Sequence, residues 1–222
     1  MERKFSFPKT HKYHISYTLQ CYWSIRDGNG TVTWADARIT ENGIAQAQKA
    51  NAFWASHIIN QKIPVPETYY TSPLTRCLET ANVTFFGLDL PSRKPFIPTV
   101  KELFREGVSG HTCDRRGTKT YIHDAFPAYK IEPGFSENDL LWKPLQGEVQ
   151  VDENIRSKTA LDEVFSSDDS TYISITSHSG EIASILQGMG RFLLFPDCML
   201  MDCSTWPPVL RTKYGASDSC VG

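Results

Sequence analysis

No stretch of the chain approaches the roughly 18 consecutive apolar residues that a membrane-spanning helix needs, so no span is expected. Nor does the N-terminus, MERKFSFPKTHKYH, hold the apolar core of a secretory leader, being charged and aromatic instead. A cytoplasmic location is expected. Charge of one sign is missing as well. The 23 basic and 25 acidic residues are interspersed and leave a formal charge of −2, which argues against a nucleic-acid or anionic-membrane surface and for a small partner. Six cysteines stand far apart, with no CxxC pair and no histidine at zinc-finger spacing, so reduced thiols and no metal are expected. There is no internal repeat, no low-complexity tract and no linker that would divide the chain.

What is present is ordinary for a globular α/β protein: 222 residues, 40% apolar, 22% charged and 12% aromatic, enough for one sizeable core. The first 33 residues read poorly, because Phe5, Phe7, Tyr13 and Ile15 alternate as in a strand while Pro8 interrupts them. From there the pattern sharpens. Thr40 is a capping residue with Glu41 in the first turn behind it, and Ile44, Ala47, Trp54 and Ile58 recur at helical spacing, predicting a helix over 41–59.

Two later segments share one plan. ETYYT at 67–71 is β-prone, ends at Ser72-Pro73, and is followed by Leu74, Leu78, Ala81 and Phe85 on one helical face. YISIT at 172–176 leads through Ser177-His178-Ser179-Gly180 into a helix bearing Ile182, Ile185, Leu186 and Met189. Repeated strand-turn-helix units, with a further helix over 152–165, predict a three-layer α/β/α fold with a mostly parallel sheet. Residues 96–147, rich in Gly, Pro, aromatics and charges, read as an excursion over the binding face, with VKELFREG as its one helix-like start.

In open parallel sheets ligands bind beyond the carboxyl ends of the strands. The turns at Ser72–Arg76 and Ser177–Gly180 should therefore meet at one crevice. Taken singly, Arg76 reads as a solvated helix residue and His178 as a satisfied core histidine. Their equivalent positions instead suggest a guanidinium fork and an imidazole beside helix N-termini, a setting for a phosphate dianion.

Four motifs in order, over about 34–185, carry a resemblance to the histidine phosphatase superfamily, the phosphoglycerate mutase-like proteins, and in particular to a fungal branch of it. DARITENG with Gln46-Ala47 resembles the family's DxxLTxxGxxQA helix start, and TSPLTRCLETA its SPLxRxxQTA turn, with Glu79 where Gln is usual. ELFREGVSGHTCDRR is similar to the segment that supplies the general acid, and SITSHSGEI to the (S/T)HxG turn. The resemblance implies the phosphoglycerate mutase-like fold and a phosphatase working through a phosphohistidine on a small phosphorylated metabolite, without metal or organic cofactor. It makes Arg76 a clamp on the phosphoryl group, His178 a stabiliser of its oxygens and Glu106, four residues before Gly110, the proton donor. Glu102 is the runner-up and reads better as an exposed first-turn residue. Arg115 and Arg116, with His111, are candidates for a second anionic group of the substrate, against a plain reading as surface charge.

The ends depart from the family. Its nucleophile is the histidine of an Arg-His-Gly motif closing the first strand, and this sequence has no such motif before Trp34. His11 and His14 are the N-terminal histidines, without an adjacent Arg or a Gly. Truncation, an alternative start and loss of catalysis each account for that, and the fold is expected to be short at its start. After Gly190, Pro207-Pro208 and a polar tail replace the expected final strand. A phosphoester-binding relic and, less well supported, a phosphoglycerate-type mutase stand as alternatives to the phosphatase.

Overall fold

A computed structural model describes residues 22–188. The strand reading of Phe5 to Ile15, the substitute nucleophiles His11 and His14, and the tail with Pro207-Pro208 lie outside them, as does Met189. Helix α1, Glu41–Asn60, starts where expected, with the Thr40 side chain accepting a hydrogen bond from Gly43 N–H. It is followed by β1, Thr68–Thr71, and α2, Thr75–Phe85. The next elements are β2, Thr99–Val100, α3, Lys119–Ala125, and β3, Lys130–Ile131. Helix α4, Gln150–Ser167, then leads to β4, Ile173–Thr176, and α5, Ser179–Gly188. No helix among the described residues is long and apolar enough to cross a membrane.

The four strands form a sheet in the order β3-β2-β1-β4 with every pairing parallel. Side chains of a strand alternate between faces, and β1 shows it directly. Tyr69 meets Phe85 and Phe96 edge-on, each with ring centres 5.1 Å apart, whereas Tyr70 points the other way towards Phe104 at 6.3 Å. Two cores result. One joins Leu78, Val100, Ile122, Tyr129 and Phe135 beneath α2 and α3. The other joins Phe104, Ala160, Leu161, Val164 and Ile185 beneath α4 and α5, with Tyr70, Ile173 and Ile175 of the sheet packed on it. Helix α1 packs outside, against α2.

Residues 96–147 depart from the expected excursion. They are woven into the sheet as β2 and β3, and they carry α3, capped by Thr118, which accepts from Tyr121 N–H. Pattern reading misses α3 because Ile122 is its one buried residue, too little for a periodicity. The helix-like VKELF shrinks to a single 3-10 turn, Glu102–Phe104. Such a turn has no ladder for its carbonyls, which must find donors elsewhere. Arg156 donates to the carbonyls of Leu103 and Arg105, at 2.7 and 3.0 Å, and Ser177 Oγ to that of Phe104 at 2.7 Å.

Candidate active site

Three neighbouring strands end together. The register pairs Thr71 of β1 with Thr176 of β4 and with Val100 of β2. Two bonds extend the ladders one step further, from Ser72 N–H to the Thr176 carbonyl and from Lys101 N–H to the Thr71 carbonyl, both 3.0 Å. The residues just beyond therefore share one end of the sheet: Ser72 to Arg76 after β1, Ser177 to Gly180 after β4, and Glu102 to Gly110 after β2.

Helix α2 begins without a side-chain cap of its own. Asp36, held with φ 46°, supplies it from a distance. One carboxylate oxygen accepts from Thr75 N–H at 2.8 Å, and the other from Thr75 Oγ1 at 2.7 Å and Gly117 N–H at 2.8 Å. This fixes the first turn of α2, and with it Arg76. Glu79, one turn on, binds Arg38 and accepts from Ile39 N–H at 2.9 Å, so a carboxylate at this position has a partner on the segment that carries Asp36.

Arg76 is 5% exposed. Its guanidinium donates to the Cys113 carbonyl at 2.9 Å and to Asp114 Oδ1 at 3.0 Å. Burial works against its charge, but Asp114, Cys113, Cys77 and Glu106 together outweigh that and hold it protonated. Asp114 is steadied in turn by Ser109 Oγ. A guanidinium offers five N–H donors, and Arg76 Nε, although buried, has no partner among the described residues.

His178 is completely buried at the turn into α5. Its Nε2 lies 2.8 Å from Ser72 Oγ and 3.4 Å from Cys77 Sγ, and its Nδ1 4.0 Å from Glu106 Oε2. Burial first, then Arg76, Arg105 and Arg156, push its pKa well below the ordinary histidine value, so the ring is neutral near pH 7. Glu106 also receives Gly107 N–H at 3.1 Å. Burial raises its pKa, Asp114 and Glu153 add to the rise, and Arg76 and Gly107 oppose it; the carboxyl is pushed up to about 7. A carboxylic acid half protonated near neutrality, against a neutral imidazole and a permanent cation, can deliver a proton to an atom bound between them.

Of the residues singled out in the sequence, Arg76, Glu106 and His178 are thus brought together. Glu102 is not, and it is not exposed either. It lies under the loops, ion-paired with Arg105 at 3.1 Å and with Arg116 at 2.7 Å. Arg116 corrects its expectation in the same way. It is 4% exposed, and its five donors go to Glu102 and to the carbonyls of Gly117, Glu137, Ser136 and Asn138. None is left for a substrate. Arg115 keeps partial exposure, pairs with Asp27 at 2.8 Å and lies 5.0 Å from the Trp142 ring centre.

Ser72, Asp36 and Asp114 have parts that motif reading did not assign, although all three fall inside the quoted motifs. Ser72 was the most findable, as the first polar side chain beyond a strand end. Among the described residues, no group of three or more His, Cys, Asp or Glu side chains is arranged to hold a metal ion.

Residues 23–194 match the histidine phosphatase superfamily, branch 1, and the chain belongs to this family. It is 55% identical over 179 residues to a protein described as a probable phosphoglycerate mutase of Arthroderma benhamiae, a match covering 81% of this chain and 53% of that one. It is 34% identical over 178 residues to phosphomutase-like protein 3 of Candida albicans, covering 77% and 52%. The chain spans about half the length of these relatives. Among solved structures it is similar to a mycobacterial glucosyl-3-phosphoglycerate phosphatase, with 22% identity, a TM-score of 0.41 and coverage of 68% and 66%. It is also similar to the ecdysone phosphate phosphatase of Bombix mori, with 15% identity, a TM-score of 0.45 and coverage of 82% and 64%.

Proposed function

We propose that the chain cleaves small phosphomonoesters as a phosphatase, with Arg76 clamping the phosphoryl group, His178 donating a hydrogen bond to its oxygens and Glu106 supplying the leaving-group proton. In this reading a histidine nitrogen attacks phosphorus as the P–O ester bond breaks, and the Glu106 proton goes to the departing oxygen. Water then attacks the phosphohistidine, giving its proton back to Glu106 and releasing phosphate. The candidates for the attacking ring within the sequence are His11 and His14.

The observation that carries the reading is the unspent capacity of Arg76. Of the four buried arginines, Arg105, Arg116 and Arg156 each make four or more bonds to carboxylates and carbonyls, whereas Arg76 makes two; its Nε is buried without a partner among the described residues, as is that of Arg105. A buried cation with idle donors beside a protonated carboxyl suits a tetrahedral dianion. A reducing, cytoplasmic setting goes with this reading and with a sequence whose six cysteines include no CxxC pair.

The names of the fungal relatives favour a mutase as the second reading. A mutase must also hold a second anionic group, and with Arg116 committed elsewhere Arg115 is the remaining cation of that pair. Binding without turnover is the third reading, favoured by the lack of Arg-His-Gly in the sequence.

Calorimetric titration with orthovanadate tests the clamp. Losing two or more charge-assisted bonds should weaken binding about 100-fold or more in Arg76→Ala, and equal affinities in the two proteins refute the assignment. Turnover of p-nitrophenyl phosphate separates the readings: activity that collapses in Glu106→Gln while vanadate still binds supports the phosphatase, and binding with no turnover in the wild type supports the third reading.

A further inference from the structure

Helix α4 changes character along its buried stripe. Its second half buries Ala160, Leu161 and Val164, which is core, but its first half buries Glu153, Arg156 and Ser157. Arg156 and Ser157 are accounted for. Arg156 is committed to Glu148, Glu181 and the carbonyls of Leu103 and Arg105, and Ser157 donates to Glu181 at 2.8 Å. Glu153 has no such explanation. It is 8% exposed, it has no ion pair among the described residues, and its one side-chain partner is a 3.4 Å bond from Gln150 Nε2 to Oε2. Its Oε1 is buried with no partner at all. An unpaired buried carboxylate is costly enough to demand a reason.

Two glycines show where it is aimed. A Cβ on Gly107, the residue after Glu106, would meet both Glu153 carboxylate oxygens at 3.0 and 3.2 Å. A Cβ on Gly180 would fall onto Glu106 Oε1, and Glu153 Oε1 lies 3.5 Å from that same point. The space a side chain at 180 would fill is thus occupied by the carboxyl of Glu106, with that of Glu153 at its edge. Two carboxyls this close cannot both ionise freely, and they titrate as a pair.

We infer that Glu153 is a positioning residue for the proton on Glu106: set across Gly180, it disfavours a second negative charge there, so that the pair keeps one proton and Glu106 stays in its acid form. This rests on Glu106 being the proton donor. The other groups facing Glu106 are Arg76 from α2, Asp114 from the 112–114 turn, His178 from the turn into α5 and its own neighbour Gly107 N–H. Those facing Glu153 are Arg156 and Glu148, with Gln150 on its own helix and Glu181 from α5. Asp114 also raises Glu106 but is paired with Arg76, and Arg156 is paired with Glu148 and Glu181, which leaves Glu153 as the unpaired carboxylate that bears on Glu106.

Carboxyl 13C NMR titration of the whole chain tests this. In Glu153→Gln the Glu106 midpoint should fall by about one pH unit, whereas Glu153→Asp, which keeps the charge, should hold it near the wild-type value. Coupling is reciprocal, so Glu106→Gln should lower the Glu153 midpoint by a similar amount. That arm alone decides the matter if Glu153→Gln fails to fold. Midpoints that stay put in both glutamine variants overturn the inference, and a purely structural role for Glu153 would leave them there. A shift in the midpoints together with full p-nitrophenyl phosphate turnover in Glu106→Gln would keep the coupling and remove Glu106 as donor, so the two failures are told apart.

Discussion

Arg116 shows how far a residue's type can mislead about its work. In the sequence it stands beside Arg115 in a run that also holds Glu106, and the pair reads as cationic reach towards substrate. In the fold it ties down loops, lying over the Phe135 ring at 4.1 Å and giving its donors to Glu102 and four carbonyls. Removing Arg116 leaves Glu102 with Arg105 alone and takes a donor from four carbonyls, and breaking a buried charge network of this kind costs about 3–5 kcal/mol. Arg116→Ala should therefore lower the urea-unfolding free energy by that much, while protein that remains folded binds vanadate with unchanged affinity. A weakened affinity with unchanged stability would restore the substrate role. Arg76 and His178 were legible because their chemistry is tied to a position, the turn after a parallel strand. Arg116 was not, because its acceptors at Gly117 and 136–138 are backbone carbonyls, which leave no mark in a sequence.

At the scale of elements, the helices with a clean apolar stripe were legible to within a residue or two, as the start of α1 at Glu41 shows, and so were β1 and β4. The edge strands β2 and β3, two residues each, were not, since their order comes from pairing on β1 rather than from any alternation of their own. Gly110 is a similar case. The resemblance marks it only as the glycine four residues after the acid, but a Cβ there would come within 2.9 Å of the Leu145 backbone, so its smallness admits a passing chain. The attachment of α2 through Asp36 was hidden too, being a cap supplied from 39 residues away. Asp36→Ala removes three bonds at once and frees two backbone N–H groups, those of Thr75 and Gly117, which should cost about 2–4 kcal/mol on unfolding. Because the freed turn carries Arg76, vanadate affinity should fall as well. A loss of stability with affinity intact would mean that Arg76 is positioned by Cys113 and Asp114 alone.

Across the whole molecule the buried acids set how stability depends on pH. The layered parallel architecture was legible from repeated strand-turn-helix units, but the density of carboxyls under its loops was not, since burial of a glutamate has no sequence signal. Glu106 is pushed up to about 7 from an ordinary value of 4.5, chiefly by burial, and burial raises Glu102 and Glu153 as well. The folded chain therefore holds protons that the unfolded chain releases near pH 4.5. Stability from Glu106 is fully present below that pH, declines as pH rises and is gone above about 7. His178 acts oppositely: its folded pKa lies below 6.5, so its contribution is lost as pH falls beneath that value. Asp168, held down to about 2 with Ser170, Thr68 and Tyr70 as donors against the effect of burial, matters only below about pH 4. Between pH 5 and 8 the two site groups thus pull against each other, and substitution separates them. Glu106→Gln abolishes the carboxyl's share, worth up to about 3 kcal/mol over its window, and should leave a protein whose urea-unfolding free energy falls less, or even rises, from pH 5 to 8. If the wild type and Glu106→Gln lose stability in parallel over that range, Glu106 titrates at an ordinary carboxylate pH and cannot hold a proton for a leaving group at neutrality.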